Sequence, residues 1–176
     1  MNVLVISASP RKGANSDTLC EQFIKGAEEA GHTTEKIRLA EKNLHPCTAC
    51  YACGKNHVCV QRDDMAEIQQ KLVDADVIVL ATPVYFYCMD AQMKMMIDRC
   101  LPRFEEMQHK QFYLLVTAAD PEHSAVEATL AGLRGFLECL PDAEEKGVIY
   151  GTGAWERGDI LGHHAMQEAY EAGKNL

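Results

Sequence analysis

Short apolar runs rich in β-branched residues alternate along this chain with segments of helical periodicity. The clearest run, Val-Ile-Val-Leu-Ala at 77–81, has the length and composition of a strand that is buried on both faces. The segment 18–30 instead carries Leu19, Phe23 and Ala27 at helical spacing. Strands that alternate with helices form a parallel sheet with helices on both faces, so the pattern predicts an α/β fold.

The whole chain can be divided in this way. Predicted strands cover 3–6, 34–39, 77–81, 112–117 and 147–151, and predicted helices cover 18–30, 64–74, 91–101, 124–139 and 162–173. Residues 82–89 are predicted as a loop. We expect a doubly wound, five-stranded parallel sheet in one domain, 1–176, with a cysteine-rich loop inserted at about 40–62.

Charge and hydropathy exclude several classes of partner. The 176 residues carry a net charge of -9, which repels nucleic acid and anionic membrane surfaces. No stretch approaches the ~20 apolar residues of a membrane span. The first residues lack the basic start and apolar core of a signal peptide. We therefore expect a cytoplasmic protein that has neither nucleic acid nor a membrane as its partner.

The loop after the first strand suits a phosphate group. Residues 7–18 are rich in hydroxyls, include Arg11 and Lys12, and lead directly into a helix. Unpaired backbone N–H groups and the helix dipole favour an anion at such a position. The loop has neither the glycine pattern of a dinucleotide fold nor that of a P-loop. The alternative is a simple turn in which Ser16 caps the helix.

Two further loops follow the third and fourth predicted strands. In an open parallel sheet, ligands bind beyond the carboxyl ends of the strands, at the point where the strand order reverses. The aromatic loop 81–89 contains Tyr85, Phe86 and Tyr87, which can wall a planar ring. The alternative is that these aromatics only fill the space above the next helix. The loop 117–120 is small and polar, and a flat ring can lie against it.

Half of the eight cysteines lie in one short run, Cys47-x2-Cys50-x2-Cys53-x5-Cys59. Disulfides are rare in the cytoplasm, so clustered cysteines there favour metal or redox chemistry. Three thiolates at C-x2-C-x2-C spacing can bind one iron–sulfur cluster. A zinc site, which usually pairs two C-x2-C elements across a longer gap, free redox-active thiols and an empty loop remain alternatives.

Several of these segments together resemble a known family. They are 9–16, the four-cysteine run, 63–65, and 82–86 followed by Lys94 and 97–99. The chain resembles the flavodoxin-like NAD(P)H-dependent FMN reductases and, among them, the iron–sulfur flavoproteins. The resemblance implies the sheet order 2-1-3-4-5 and FMN as the cofactor. It places FMN against Ser9, Arg11, Asn15, Ser16 and Thr18 at the phosphate, and against Pro83, Val84, Tyr85, Phe86, Thr117, Ala118 and Asp120 at the ring.

The resemblance also implies a function. NAD(P)H is the expected co-substrate, a small molecule or a redox protein is the expected electron acceptor, and a homodimer or homotetramer is expected. The flavin carries the chemistry, so no catalytic side chain is predicted. Cys47, Cys50, Cys53 and Cys59 are the candidate ligands of a 4Fe–4S cluster. The alternatives are an electron carrier that accepts electrons from ferredoxin and a non-enzymatic sensor on the same fold. Trp155 is predicted either to cover the flavin or to be a surface aromatic.

Overall fold

The chain forms six strands and six α-helices over residues 1–176, all of which the computed structural model describes. The strands are β1 (Asn2–Ser7), β2 (Thr33–Arg38), β3 (Val77–Tyr85), β4 (Cys88–Met89), β5 (Gln111–Thr117) and β6 (Glu144–Gly151). The helices are α1 (Asn15–Glu29), α2 (Cys53–Asn56), α3 (Met65–Asp74), α4 (Ala91–Asp98), α5 (Glu127–Glu138) and α6 (His164–Lys174). None of them is both long enough and apolar enough to cross a bilayer.

The main sheet is parallel and has the order β2-β1-β3-β5-β6. The two-residue strand β4 lies off this path and pairs with β3 in the antiparallel sense. With β4 set aside, the order is the predicted 2-1-3-4-5, so the doubly wound fold is confirmed. The chain moves outward from β1 in both directions, which places the switch point between β1 and β3.

Two apolar layers cover the sheet because successive side chains of a strand point to opposite faces. On one face, Val3 and Val5 of β1 pack with the buried sides of α1 and α6. On the other face, Leu4 and Ile6 pack with residues of α3, α4 and α5. Every strand residue from Val77 to Thr82 is fully buried, as expected for a central strand.

Helices α1 and α6 lie in unusually close contact at two glycines. A Cβ at Gly26 would clash with the backbone carbonyl of Tyr170, and a Cβ at Gly173 would clash with that of Phe23. The missing side chains therefore allow the two backbones to approach each other. This contact also holds the segment that leads into α6 beside the loop that leads into α1.

The prediction that residues 82–89 form a loop is wrong. Strand β3 continues to Tyr85, where Thr82 and Pro83 pair with β5 and the last two residues pair with β4. Phe86 and Tyr87 form the two-residue turn, with positive φ values of 51° and 61°. Both central residues of a type I′ hairpin turn require such values, and glycine or asparagine usually supplies them. The Thr-Pro dipeptide and the absence of glycine concealed this hairpin.

Two smaller predictions also need correction. Helix α1 begins at Asn15 with Ala14 as its N-cap, so Ser16 lies within the first turn and does not cap it. Residues 40–62 are not loop throughout, because they include α2, a single helical turn. Non-glycine residues around this turn, Ala49, Tyr51 and His57, have positive φ values of 52°, 54° and 56°. The cysteine-rich segment is thus held in a tightly wound and locally strained conformation.

Candidate functional site

The loop between β1 and α1 is wound tightly against the start of the helix. The Arg11 N–H donates to the Ser9 hydroxyl at 3.3 Å, and the Ala14 N–H donates to the Arg11 carbonyl at 3.2 Å. The first bond of the helical ladder runs from Thr18 N–H to the Ala14 carbonyl. The N–H groups of the first turn therefore have no partner in the ladder and provide an anion-binding position.

The buried carboxylate of Asp17 holds this loop in place through several hydrogen bonds. Asp17 accepts hydrogen bonds from the Ser7 hydroxyl at 2.8 Å and the Gly13 N–H at 2.7 Å, and pairs with Lys36 at 2.6 Å. Burial acts to raise the pKa of Asp17, but these hydrogen bonds outweigh it and lower the pKa to about 2. Arg38 lies 3.3 Å from the same carboxylate. Sequence analysis missed this network because Lys36 and Arg38 belong to β2.

A cavity of about 250 Å³ opens beside the loop, at the carboxyl ends of the strands. Its walls come from the loops after β1, β5 and β6 and from the last residues of β3 and β5. The lining residues are Arg11, Pro83, Val84, Tyr85, Thr117, Ala119, Ala154 and Trp155. The cavity thus lies where a doubly wound sheet binds its ligand, and its lining is mainly apolar with one cationic side chain.

The structure brings part of the predicted cofactor site together at this cavity. Arg11, Pro83, Val84, Tyr85 and Thr117 line it. Ser9, Asn15 and Ser16 are buried behind the loop, and Thr18 is partly buried in the first turn of α1. These four residues do not line the cavity. Their assignment to the FMN phosphate stays a prediction.

The other predicted ring contacts lie outside the cavity. Phe86 is fully exposed at the tip of the β3–β4 turn. Ala118 is buried, and its carbonyl accepts a hydrogen bond from the Ala154 N–H at 2.8 Å. Asp120 caps its own turn by accepting from the Glu122 N–H at 2.9 Å. The resemblance placed these three residues near the ring, and none of them lines the cavity.

Trp155 is the lining residue that sequence analysis left undecided. It is 68% exposed and lies in the segment after β6. No local pattern indicates that this segment reaches back over the β1 loop. The signal that could have indicated it is the presence of a single tryptophan at the carboxyl end of a strand.

The four clustered cysteines line a second cavity, together with Arg99 and Leu101. Two of their sulfur atoms have nearby hydrogen-bond donors. The Ala49 N–H donates to the Cys47 sulfur at 3.4 Å. The pKa of Cys50 is lowered, chiefly by the Ala52 N–H and then by the Thr48 hydroxyl. Donors of this kind stabilise thiolates and tune iron–sulfur clusters.

The arrangement of these thiols bears on which metal group they could hold. No three Cys, His, Asp or Glu side chains are grouped so that one metal ion could bind to all of them. In a cluster, each thiolate binds a different iron atom, so the four ligands need not converge on one point. The four thiols line one small cavity of about 30 Å³, and hydrogen-bond donors to sulfur like those at Cys47 and Cys50 are typical of iron–sulfur sites.

Arg99 joins the cysteine-rich segment to α4 from inside the protein. Its guanidinium donates to the carboxylate of Asp63 and, at 2.6 Å, to the carbonyl of His45. Gln61 donates to the Pro46 carbonyl at 3.0 Å. These residues flank the cysteine run on both sides. The two ends of the segment are thus held together by a buried charge.

The remaining cysteines have unequal environments. Cys20 and Cys100 are fully buried, and burial raises the pKa of each thiol to about 12, so both are unreactive. Cys139 is exposed at the end of α5, and Cys88 is exposed on the β3–β4 hairpin.

A doubly wound sheet with a cavity at the switch point, lined in part by Tyr85 and Trp155, is the architecture of the flavodoxin-like class. Comparison with known families is more specific. A family model described as NADPH-dependent FMN reductase matches residues 1–140. The chain belongs to this family of oxidoreductases, whose cofactor is FMN.

Several curated relatives are named iron–sulfur flavoproteins. An iron–sulfur flavoprotein of Archaeoglobus fulgidus is 39% identical over 102 residues, and one of Methanocaldococcus jannaschii is 42% identical over 102 residues. Each match covers 58% of this chain, and 46% and 53% of the respective relatives. The chain therefore matches about half the length of these proteins.

Solved structures agree with the fold. The NAD(P)H:quinone oxidoreductase from Methanothermobacter marburgensis has a TM-score of 0.78 at 20% identity and covers 100% of this chain, with 96% of its own chain matched. An FMN-dependent NADH-azoreductase from Bacillus anthracis, solved with FMN, has a TM-score of 0.77 at 16% identity, with 99% and 98% coverage. At this level of identity, the likeness establishes the architecture alone.

Proposed function

We propose that this protein is an FMN-dependent oxidoreductase that takes electrons from NAD(P)H and passes them to a small molecule or a redox protein. The observation that carries the proposal is the cavity between the β1 loop and the β3 hairpin, because it combines an anion-binding helix start with an aromatic wall. Membership of the FMN reductase family supports the same cofactor and electron donor.

Different parts of the cavity bind the phosphate and the ring of FMN. The β1 loop and Arg11 bind the phosphate of FMN, while Pro83, Val84 and Tyr85 form the wall against which the ring lies. Thr117 and Ala119 complete the lining at the end of β5. When bound, FMN supplies a ring that accepts a hydride and releases one or two electrons.

Protein side chains have a restricted role in this proposal. The cavity lining contains no carboxylate, imidazole or thiol, so we assign no catalytic acid or base. Arg11 is also the one charged residue in the lining, and Lys12 is exposed beside it. These cations attract the phosphates of FMN and of NAD(P)H to a protein whose net charge is otherwise -9. The protein orients the ring and excludes water from one of its faces.

Anaerobic reduction tests the proposal. Purified protein is loaded with FMN and mixed with NADH or NADPH, and the flavin absorbance is followed. We expect the yellow band to bleach and to return when a quinone or an azo dye is added. A control without protein measures the background reduction of free FMN. A protein that binds FMN but leaves it oxidised with both nucleotides is not an NAD(P)H-dependent reductase.

A second candidate function is that of an iron–sulfur flavoprotein which carries electrons and receives them from ferredoxin. The shared cavity of Cys47, Cys50, Cys53 and Cys59 favours it, together with the donors to sulfur described above. The names of the curated relatives point in the same direction. In this proposal the four thiolates hold a 4Fe–4S cluster, which supplies one-electron exchange with the flavin.

Metal analysis of anaerobically purified protein separates the alternatives. We expect iron and acid-labile sulfide in equal amounts for a cluster, and we expect Cys50→Ser to remove most of both. Cys139→Ser is the matched control, since Cys139 is an exposed cysteine outside the run. Zinc without sulfide, or no metal in either protein, would exclude the cluster. Rapid reduction by ferredoxin and slow reduction by NAD(P)H would favour the carrier.

A further inference from the structure

The segment 154–160 lies between β6 and α6, and its first two residues, Ala154 and Trp155, line the cavity. It lies beyond residues 1–140, the part that the FMN reductase family model matches. Its Trp155 is the single tryptophan of the chain and shares the cavity lining with Pro83 and Tyr85. Trp155 is 68% exposed although it lines the cavity. Its indole ring therefore has apolar surface that a ligand can cover.

One buried side chain holds the backbone on both sides of this tryptophan. The Asn15 amide group donates to the Ala154 carbonyl at 3.2 Å and to the Glu156 carbonyl at 2.9 Å. The Asn15 side-chain oxygen accepts from the Gly158 N–H at 3.1 Å. Asn15 is 3% exposed and is the first residue of α1. Its polar side chain is therefore engaged with the Trp155 segment and not with solvent.

Further contacts fasten the segment to the β1 loop. Arg157 donates to the Gly13 carbonyl at 3.1 Å. Arg11 donates to the Trp155 carbonyl at 3.5 Å. Within the segment, the Asp159 carboxylate accepts from the N–H groups of Trp155 and Glu156 at 3.0 and 2.7 Å. The backbone that carries the indole is thus fixed from both ends, which reduces the entropy that its ordering on ligand binding would otherwise cost.

We infer that Trp155 is a flavin-contacting residue, opposite the Tyr85 side of the cavity, and that Asn15 is the residue that positions it. The inference rests on the proposed function, because it takes FMN as the occupant. Trp155 covers apolar surface of the isoalloxazine ring and does not contact the phosphate. Asn15 acts through the Trp155 segment, although it begins the helix that binds the phosphate.

Binding measurements on apo-protein test the role of Trp155. Aromatic contacts of this kind correspond to a loss of about threefold to tenfold in affinity, so we expect Trp155→Ala to raise the dissociation constant for FMN by that factor. Trp155→Phe keeps an aromatic face and should restore most of the affinity. Leu161→Ala is the matched control, because Leu161 is 65% exposed on the same connection but does not line the cavity.

Riboflavin, which lacks the phosphate, separates ring contacts from phosphate contacts. Trp155→Ala should weaken the binding of riboflavin and FMN by the same factor. Arg11→Ala should weaken FMN binding more than riboflavin binding, since a charge-assisted contact is lost only with the phosphorylated ligand. An effect of Trp155→Ala that is confined to FMN would contradict the assignment of Trp155 to the ring.

Asn15→Ala tests positioning. Emission from the single tryptophan reports on its own segment, so acrylamide should quench Trp155 more strongly in the Asn15→Ala apo-protein than in the wild type. Riboflavin affinity should fall, and the loss should not add to that of Trp155→Ala, because the two residues act as one unit. Fully additive losses, or unchanged acrylamide quenching, would overturn the positioning role.

The outcomes for the two proposals are distinguishable. If wild-type protein binds no FMN, the proposed function fails and the inference fails with it. If the wild type binds FMN and is reduced by NAD(P)H, while the alanine and phenylalanine variants at position 155 bind FMN and riboflavin as the wild type does, the inference alone is overturned. Thermal unfolding of each variant shows whether it is folded, and Trp155→Phe covers the case in which Trp155→Ala is not.

Discussion

The carboxylate of Asp63 and the guanidinium of Arg99 form a two-point ion pair inside the protein, with N–O distances of 2.7 and 2.9 Å. Both side chains are nearly inaccessible, at 1% and 2% exposure. The Arg99 hydrogen bonds lower the pKa of Asp63 to about 2. The pair connects the end of α4 to the residue at which the cysteine-rich segment enters α3, so it couples that segment to the core.

Removal of one partner from this pair should be costly. Arg99→Met leaves the Asp63 carboxylate buried without its counter-charge, and such a change typically destabilises by about 3–5 kcal/mol. We expect a loss of this size in the free energy of unfolding measured in urea. The double variant Asp63→Leu with Arg99→Met should recover much of it, because neither charge then remains buried.

A surface pair of the same geometry provides the control. Arg134 and Glu145 also form two contacts, both at 2.8 Å, but their side chains are 46% and 28% exposed. Exposed pairs contribute at most about 1 kcal/mol, so Arg134→Met should have a small effect. Equal losses for the Arg99→Met and Arg134→Met variants would show that burial does not control the strength of the Asp63 pair.

Low pH should destabilise the folded protein, because it protonates the Asp17 carboxylate that holds the β1 loop. The folded-state pKa of Asp17 is about 2, below the ordinary value of 3.8, so the folded state favours the ionised form. Its contribution is present above pH 4 and is lost as the pH falls towards 2, and it corresponds to roughly 2 kcal/mol. Asp17→Asn should therefore be less stable than the wild type at pH 7, with a difference that shrinks in acid. A difference that does not change with pH would contradict this role.

Asp90 should have the opposite pH dependence. It is 1% exposed, one of its carboxylate oxygens has no hydrogen-bond partner, and burial raises its pKa from 3.8 to about 6. The folded state favours the protonated form, so stability declines as the pH rises from about 4 to 6. Asp90→Asn should match the wild type in acid and exceed it by about 2–3 kcal/mol above pH 6. Denaturant unfolding between pH 4 and 8 measures the difference, and a less stable variant at pH 8 would contradict it.

The contact between α1 and α6 should not tolerate a methyl group. Gly26→Ala forces a Cβ against the Tyr170 carbonyl, and overpacking of this kind typically costs about 1–3 kcal/mol. Gly135, in α5, has open space within 4 Å of the point that a Cβ would occupy, so Gly135→Ala should instead stabilise by roughly 0.5–1 kcal/mol. Thermal unfolding of the two variants should move in opposite directions. A shift of the same sign would contradict the close approach.

Local patterns were sufficient for the strands and helices of the main sheet, whereas the order of the strands came from the resemblance to the FMN reductases. Strand β3 could be predicted because Val77–Ala81 is apolar at every position, as burial on both faces requires. The loop that leads into α1 was also predicted from the sequence, and its role in binding an anion stays a prediction. The β3–β4 hairpin was missed because Phe86 and Tyr87 adopt positive φ values that their side chains do not predict.

The candidate site was harder to predict than the fold, because many of its contacts join residues that are far apart in the sequence. Asn15 was assigned to the phosphate loop, but the hydrogen-bond partners of its side chain lie on both sides of Trp155, about 140 positions later. Asp17 similarly finds Lys36 and Arg38 on the next strand. Such pairings follow from the order of the strands and from the packing of α6, neither of which a local window contains.

Calorimetric titration of the apo-protein with FMN and with riboflavin tests the central claim, which is that the β1 loop holds a phosphate beside an aromatic cavity. Charge-assisted contacts to the phosphate are worth about 1.5–3 kcal/mol each, so FMN should bind at one site per chain and at least about tenfold more tightly than riboflavin. The absence of FMN binding, or equal affinity for the two ligands, would contradict the account.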